Sequence, residues 1–164
     1  MNQPDGSSLR ALERQVRPNG TGLEAPTLQG CWRLQTVWAK GASASSALSS
    51  WALQGMQARL ELSHRHGQEL QVSNAVNLGP LELRFTGEGH LRGKRPLLMF
   101  SFQTMTVNAW GHSLMERTLP SPAPQRWPFF ALIARSPEGW LAARGRGGGL
   151  ALWRLDQSPE ADEE

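Results

Sequence analysis

The sequence of 164 residues contains no tyrosine and a single cysteine, Cys31. One cysteine cannot form a disulfide within its own chain, which predicts a reducing, intracellular setting. The first thirty residues hold no apolar run of signal-peptide length, and no apolar window reaches the length of a transmembrane helix, since even residues 127–134 lead into Arg135 and Pro137. Any association with a membrane is therefore expected to be peripheral.

Acidic residues are scarce outside the C-terminus. Five of the fourteen lie in the last nine positions, so the first 155 residues carry seventeen basic residues against nine acidic ones, a net charge of +8. Such a body is attracted to anionic surfaces, whether phosphate backbones or acidic lipid head groups. Charge alone does not choose between these two.

The length fits one domain with flanking segments. Residues 1–27 are predicted to form a polar tail and a short amphipathic helix, with Ser7 and Ser8 as caps and Pro18 near its end. Residues 28–155 are predicted to form the folded domain. Residues 156–164 are acidic and polar, and we expect them to be a disordered tail.

Period-two alternation of apolar and polar residues dominates the central region. "CWRLQTVW" and "MQARLELS" show it most clearly, and further short apolar runs follow at meander-like spacing, separated by glycine and proline clusters. About eight or nine strands are predicted. The fold class is mainly β, an antiparallel barrel or sandwich with a short N-terminal helix.

The glycine-arginine run "ARGRGGG" lies between two apolar segments. A phosphate-binding loop requires a Lys followed by Ser or Thr at the start of a helix, and this run leads into the strand-like "LALWRLD". We interpret it as a hairpin turn whose glycines supply positive φ angles. Arg144 and Arg146 would then project near the turn, where they are candidates for contact with a membrane or another anionic partner.

No catalytic group, metal site or cofactor is predicted. His64 and His66 lie two residues apart in a predicted turn, but no cysteine or acidic cluster joins them. Cys31 precedes an aromatic residue in an apolar strand, where an unreactive thiol is expected. The chain is therefore not expected to be an enzyme.

At "LQGCWRL" the sequence resembles the opening strand of lipocalin-like barrels. Together with "VSNAVNLGPLELRFTGEGHLRGKRPLLMFSF" and "GWLAARGRGGGLALWRL", it resembles the plastid lipid-associated protein or fibrillin family in its cyanobacterial form. The resemblance implies a lipocalin-like β-barrel in which Trp32 closes one end and Arg154 packs over it. It departs from the family between Leu141 and Arg144, where the acidic, tyrosine-containing stretch found in many members is missing.

The resemblance also implies a function, which is to bind or organise carotenoids, prenylquinones or lipids at thylakoid membranes. We expect a cytoplasmic monomer that lies peripheral to the membrane, binds a lipophilic small molecule and binds no nucleic acid. From the strand parity, the predicted ligand-binding residues are Trp32, Leu34, Trp38, Met56, Leu60, Phe85, Phe100, Phe102 and Trp153.

Two other functions stay open. A lipocalin-like lyase or chaperone for bilins would need polar groups that converge on the propionates of the pigment, and Arg59, Arg84 and His90 are the candidates. A barrel filled by its own side chains would instead serve as a module for protein–protein interaction.

Overall fold

The structure is a computed structural model of the chain that describes residues 3–40 and 58–156. These residues form one α-helix, two short 3₁₀ helices and nine strands, in the mainly β arrangement that the sequence predicts. The elements are α1 (Gly6–Asn19), a 3₁₀ helix (Ala25–Leu28), β1 (Gly30–Trp38), β2 (Arg59–His64), β3 (Glu69–Leu78), β4 (Leu81–Arg92), β5 (Leu97–Ala109), β6 (His112–Thr118), a second 3₁₀ helix (Pro124–Arg126), β7 (Phe129–Ser136), β8 (Trp140–Gly145) and β9 (Leu150–Leu155).

Hydrogen bonding closes the sheet into a ring. The strands follow the order β4-β3-β2-β1-β9-β8-β7-β5, every pair is antiparallel, and β4 also pairs with β5. Eight strands therefore form a barrel, which leaves no free edge inside the ring. Within the described chain β6 pairs with β5 alone and lies outside the ring.

The two ends of the barrel differ. At one end, where β1 begins, Trp32 is fully buried and its Nε1 donates a hydrogen bond to the carbonyl of Leu28 at 2.9 Å. Leu28 ends the first 3₁₀ helix, which covers this end. We call it the Trp32 end. At the opposite end β1 finishes at Trp38, and the turn between β8 and β9 lies beside it because Trp38 pairs with Leu150.

The glycine-rich run forms the predicted hairpin. The amide of Gly148 donates to the carbonyl of Gly145 at 2.9 Å, and the strands before and after it pair from Arg144–Leu150 to Trp140–Arg154. Of the glycines in the turn only Gly148 has a positive φ, 89°. Positive φ is thus required at one position and not along the whole run.

Helix α1 packs on the outer surface of the barrel. Its N-cap is Asp5, whose side chain accepts a hydrogen bond from the amide of Ser8, so the predicted Ser7 and Ser8 caps are wrong by two or three positions. Pro18 lies within the helix, which ends at Asn19 before Gly20. The apolar face of the helix buries Leu9 against a second core cluster, which contains Trp38, Ile133, Ala142, Leu150 and Leu152.

A bulge in β1 explains why Trp38 belongs to this outer cluster. The register of β1 against β9 skips a residue between Leu34 and Thr36, which reverses the faces of the residues that follow. Leu34 therefore faces the barrel interior, whereas Trp38 faces helix α1. The prediction that Trp38 lines the interior is wrong for this reason.

Residues on both sides of the barrel strands contact the barrel. Helix α1 is packed against the barrel and belongs to the same folded unit as residues 28–155. Asp156, which was assigned to the tail, accepts a hydrogen bond from Arg33 at 2.9 Å and donates its amide to the carbonyl of Cys31 at 2.7 Å. The rest of the predicted tail, residues 157–164, lies outside the described residues.

Candidate functional site

An apolar cavity lies inside the barrel at the end opposite Trp32. Its volume is about 390 Å³, within the usual range of small-molecule sites. The wall comes from the end of β1, the start of β2, the middle of β3 and β5, and the strands that flank the glycine turn. It includes Leu34, Val37, Leu60, Val76, Phe130 and Trp153.

Aromatic rings form one continuous side of this cavity. Phe100 lies 5.3 Å from Phe102 and 5.4 Å from Phe130, and Phe130 in turn meets Trp153 edge to face at 5.1 Å. Such spacings are those of favourable aromatic pairs. The rings are held by separate strands, β5, β7 and β9, so the wall is fixed by the closure of the barrel.

Asn74 provides a polar group in this largely apolar wall. It pairs with Leu60 on β2 and with Phe85 on β4, and residues directly opposite each other in an antiparallel sheet share a face. A side-chain amide both donates and accepts hydrogen bonds. The cavity thus combines a large apolar surface with a group that can orient a carbonyl or hydroxyl.

Five of the nine predicted ligand-binding residues lie in the cavity wall: Leu34, Leu60, Phe100, Phe102 and Trp153. Phe85 is not part of the wall but lies on the same sheet face as Asn74, with its ring 5.5 Å from that of Phe102. Trp32 belongs to the core at the other end, and Trp38 faces helix α1. Met56 lies outside the described residues.

Some wall residues were missed by sequence reasoning. Val76 and Ala151 continue the alternation of their strands, and a consistent parity would have included them. Phe130 is harder to assign, because "PFFALIA" offers two adjacent rings and β7 has a register shift between Leu132 and Ala134. The structure shows that, of the two rings, Phe130 faces inward.

The cation over Trp32 is Arg135, not Arg154. The guanidinium carbon of Arg135 lies 5.6 Å from the centre of the Trp32 ring, a cation–π distance. Arg154 pairs with Arg33 and Trp140, on the opposite sheet face from its inward neighbour Trp153. The predicted pair of Trp32 with Arg154 is therefore corrected to Trp32 with Arg135.

Arg144 forms an ion pair with Glu13 inside the protein. Its Nε and Nη2 donate to the two carboxylate oxygens of Glu13 at 2.7 and 2.5 Å, and Arg95 donates to the same carboxylate at 2.7 Å. Glu13 is only 3% exposed, and its hydrogen bonds with Arg144 lower its pKa to about 2, against the opposing effect of burial. Arg144 therefore ties helix α1 to β8 and is not available to a membrane.

Arg146, the second predicted anion contact, is exposed at the glycine turn. One of its nitrogens, Nη1, donates to the carbonyl of Arg126 at 2.9 Å. Lys40 lies next to the same turn, with its side chain close to Gly148. Two cations thus lie at the cavity end of the barrel.

The three polar groups considered for a bilin are not brought together at the cavity. Arg59 donates to Glu82 at 2.7 Å, and Arg84 donates to Glu61 at 2.6 Å, both on the outer face of β2 and β4. The hydrogen bonds that Arg84 donates to Glu82 lower the pKa of Glu82, and those that it donates to Glu61 raise the pKa of Arg84. His90 lies elsewhere, 5.9 Å from the ring of Trp127.

The described residues contain no group of three or more His, Cys, Asp or Glu side chains that could hold a metal ion. His66 lies 3.0 Å from Glu69 at the surface, and His64 contacts the carbonyl of Gly67 at 3.0 Å. Cys31 is half-buried, and burial raises the pKa of its thiol, followed by the effect of Glu61. A raised pKa makes a thiol less reactive.

Comparison with protein-family models, curated proteins and solved structures finds no match to this chain. Among the described helices none is long and apolar enough to cross a membrane. The fold and the cavity together define the class: a closed antiparallel β-barrel with one end sealed by Trp32 and an apolar cavity at the other.

Proposed function

We propose that the protein binds a lipophilic small molecule in this cavity without chemical change. The single observation that carries the proposal is the cavity itself, about 390 Å³ in volume and walled by Phe100, Phe102, Phe130 and Trp153. Among the described residues the wall has no nucleophilic and no acidic side chain; besides the amide of Asn74 it includes Arg59, whose guanidinium is bonded to Glu82 on the outer face of the sheet. Binding and not catalysis is what such a site supports.

Apolar burial supplies the affinity. Removing roughly 300 Å² of ligand surface from water contributes about 7 kcal/mol before the costs of association are subtracted. A flat conjugated or isoprenoid group suits the aromatic side of the cavity, and the amide of Asn74 suits a carbonyl or hydroxyl at one end of the ligand. As the resemblance to the fibrillin family implies, the proposed cargo is a carotenoid, a prenylquinone or a lipid.

The proposed setting follows from the same resemblance and from the charge of the body. We propose a monomer that works in the cytoplasm, peripheral to a thylakoid membrane, with no resident cofactor. Lys40 and Arg146 at the cavity end support an approach to acidic head groups with that end first.

The test is a titration of the purified protein with a short-chain prenylquinone, in which binding is measured by the quenching of tryptophan fluorescence. Ala151→Phe places a ring in the cavity and is expected to raise the Kd at least tenfold. The matched control is Ser63→Phe, at an exposed position of β2, which is expected to leave the Kd unchanged. Leu34→Trp repeats the test at a second wall position in case Ala151→Phe does not fold.

Saturable binding that Ala151→Phe and Leu34→Trp both leave intact would show that the ligand binds elsewhere. Absence of saturable binding by the folded wild-type protein to prenylquinones, carotenoids and lipids alike would overturn the proposal. Folding of each variant is checked by circular dichroism before titration.

A further inference from the structure

Strands β3 to β6 extend beyond the barrel at the cavity end. Residues 76–78, 81–85, 105–109 and 112–118 form this extension, which we call the ribbon. It begins where β2 stops pairing with β3, at Ala75, and it ends in the turns at Gly79–Pro80 and Trp110–Gly111. All seven residues of β6 are exposed.

The two faces of the ribbon have opposite character. The register places Leu83 with Val76 and Val107, and Val107 with Met115, on the face that continues the barrel interior. The other face carries Glu82, Arg84, Thr106, Asn108 and Glu116. On the described apolar face the charged or titratable residues are Arg117 opposite Met105 and His112 opposite Ala109, and no acidic residue is among them.

The apolar face is exposed and leads to the cavity. Leu78, Leu81, Trp110, Leu114 and Met115 are the large apolar residues of the described chain that are exposed; Trp110 lies in the turn at the tip of the ribbon, and the other four lie on the ribbon itself. Val76 belongs both to the ribbon and to the cavity wall, and Phe85 of the ribbon contacts Phe102 of the wall. The apolar face of the ribbon therefore shares one residue with the cavity wall and contacts another.

Trp110 has a strained backbone at the tip. Ala109 and His112 are paired across a two-residue turn in which Trp110 has φ 47° and Gly111 has φ 78°. Such a turn needs a positive φ at both positions and favours Asn or Gly at the first of them. Among the described residues Trp110 is the one non-glycine residue with a positive φ, and its side chain is 79% exposed.

From these observations we infer that the tip of the ribbon inserts into the interfacial layer of a lipid bilayer and that the apolar face conducts the lipophile between the bilayer and the cavity. Burial in lipid gives the exposed Trp110 and Leu114 side chains an apolar environment, and tryptophan favours the boundary between head groups and acyl chains. Arg117, beside the apolar surface, meets acidic head groups. This inference rests on the proposed function, since it describes how the cavity is filled.

A lipid surface fits these features better than a protein groove does. The apolar side chains lie at two turns and on β6, a strand that is paired on one side in the described chain. The charge on the apolar face is positive, as an acidic bilayer requires. A tryptophan kept in an unfavourable backbone conformation while exposed to water indicates a role for the side chain outside the fold.

The experiment measures binding to vesicles of phosphatidylcholine and phosphatidylglycerol by flotation. Trp110→Asn and Leu114→Asn are each expected to lower the fraction bound at least tenfold. Asn suits the backbone of the turn better than Trp, so Trp110→Asn is expected to melt at a higher temperature than the wild type. The matched control is Ser113→Asn, on the polar face of the same strand, which is expected to bind as the wild type does.

Both tip variants are expected to keep the wild-type Kd for the prenylquinone in the absence of vesicles, and Ala151→Phe is expected to keep vesicle binding. The results therefore distinguish a failure of the proposed ligand binding in the cavity from a failure of the proposed insertion of the tip into the bilayer. Wild-type binding to vesicles by Trp110→Asn and Leu114→Asn would overturn the inference. So would the finding that the tip variants abolish a dimer of the free protein, because the face would then be an interface between two copies.

Discussion

Glu13 shows how one residue joins two elements that are distant in sequence. Its carboxylate accepts hydrogen bonds from Arg144 on β8 and from Arg95 in the turn before β5. The three side chains cross from helix α1 to the barrel in a site that excludes water from Glu13. A buried carboxylate is tolerated only when it is paired in this way, and it then stabilises the folded state in its ionised form.

This pairing predicts a pH dependence of stability. Because the pKa of Glu13 is lowered to about 2 in the folded state, its contribution is complete above the unfolded pKa of roughly 4.3 and is lost as the pH falls towards 2. Glu13→Gln is expected to lower the free energy of unfolding by about 3 kcal/mol at pH 7 and by much less near pH 2. Urea unfolding at several pH values measures the difference.

The control for this experiment is Glu138→Gln, at an exposed position between β7 and β8, which is expected to be neutral within about 0.5 kcal/mol. A loss of stability at Glu13→Gln that stays the same from pH 7 to pH 2 would show that the carboxylate charge is not the stabilising feature.

At the scale of elements, helix α1 covers the outside of the barrel while the cavity lies inside. Leu9 packs against Trp38 and Leu150, and the bulge in β1 is what turns Trp38 towards the helix. Gly6 completes this contact, since a Cβ there would lie 2.9 Å from Nε1 of Trp38. The helix and the cavity therefore contact opposite faces of the same strands.

Separation of the two faces predicts that helix packing and ligand binding are independent. Leu9→Ala is expected to lower the free energy of unfolding by roughly 3 kcal/mol because it leaves a void beside Trp38. The Kd for the prenylquinone is expected to change less than twofold under native conditions. Arg14→Ala, on the exposed side of the helix, is the control, and a large change in Kd for Leu9→Ala would indicate that the helix shapes the cavity.

The elements also show what the sequence can and cannot predict. Alternation of apolar and polar residues, together with short apolar runs, predicted about eight or nine strands, because most of the strands bury one face. It placed Leu34, Phe100 and Trp153 correctly in the interior. It failed at Trp38, because a bulge leaves no sign in the pattern of residue types and reverses every face beyond it.

Contacts between distant segments could not be predicted from the sequence either. The partner of Trp32 is Arg135 and not Arg154, and the partner of Arg144 is Glu13. Both depend on the order of strands around the ring and on the position of the helix. Periodicity within a segment indicates neither the strand order nor the position of the helix. The hairpin could therefore be predicted from the glycine run, but the role of Arg144 could not.

At the scale of the whole molecule, β5 belongs to two structures at once. Its first residues, Leu97 to Met99, pair with β7 and close the barrel, whereas Thr104 to Ala109 pair with β6 and belong mainly to the ribbon. The barrel strands are paired on both sides, but β6 has one neighbour in the described chain. The ribbon is therefore held at its base and little supported along its length.

This unequal support predicts two classes of amide hydrogen exchange. Amides of β9, Leu150 to Leu155, are expected to exchange only through global unfolding, and those of β6 at least a hundredfold faster through local opening. Mass spectrometry of exchanged peptides measures both, and equal protection of the two strands would contradict this picture. Added vesicles are expected to slow exchange in β6 and to leave β9 unchanged.

The shared strand β5 has a consequence for how the barrel could vary. Because the closing pairs use only the first part of β5, the ribbon could be shortened, lengthened or given a different sequence without changing a hydrogen bond between β5 and β7. The barrel that holds the ligand and the ribbon that projects from it are thus separable parts. Replacing the ribbon by another sequence would direct the same ligand-binding barrel to a different surface.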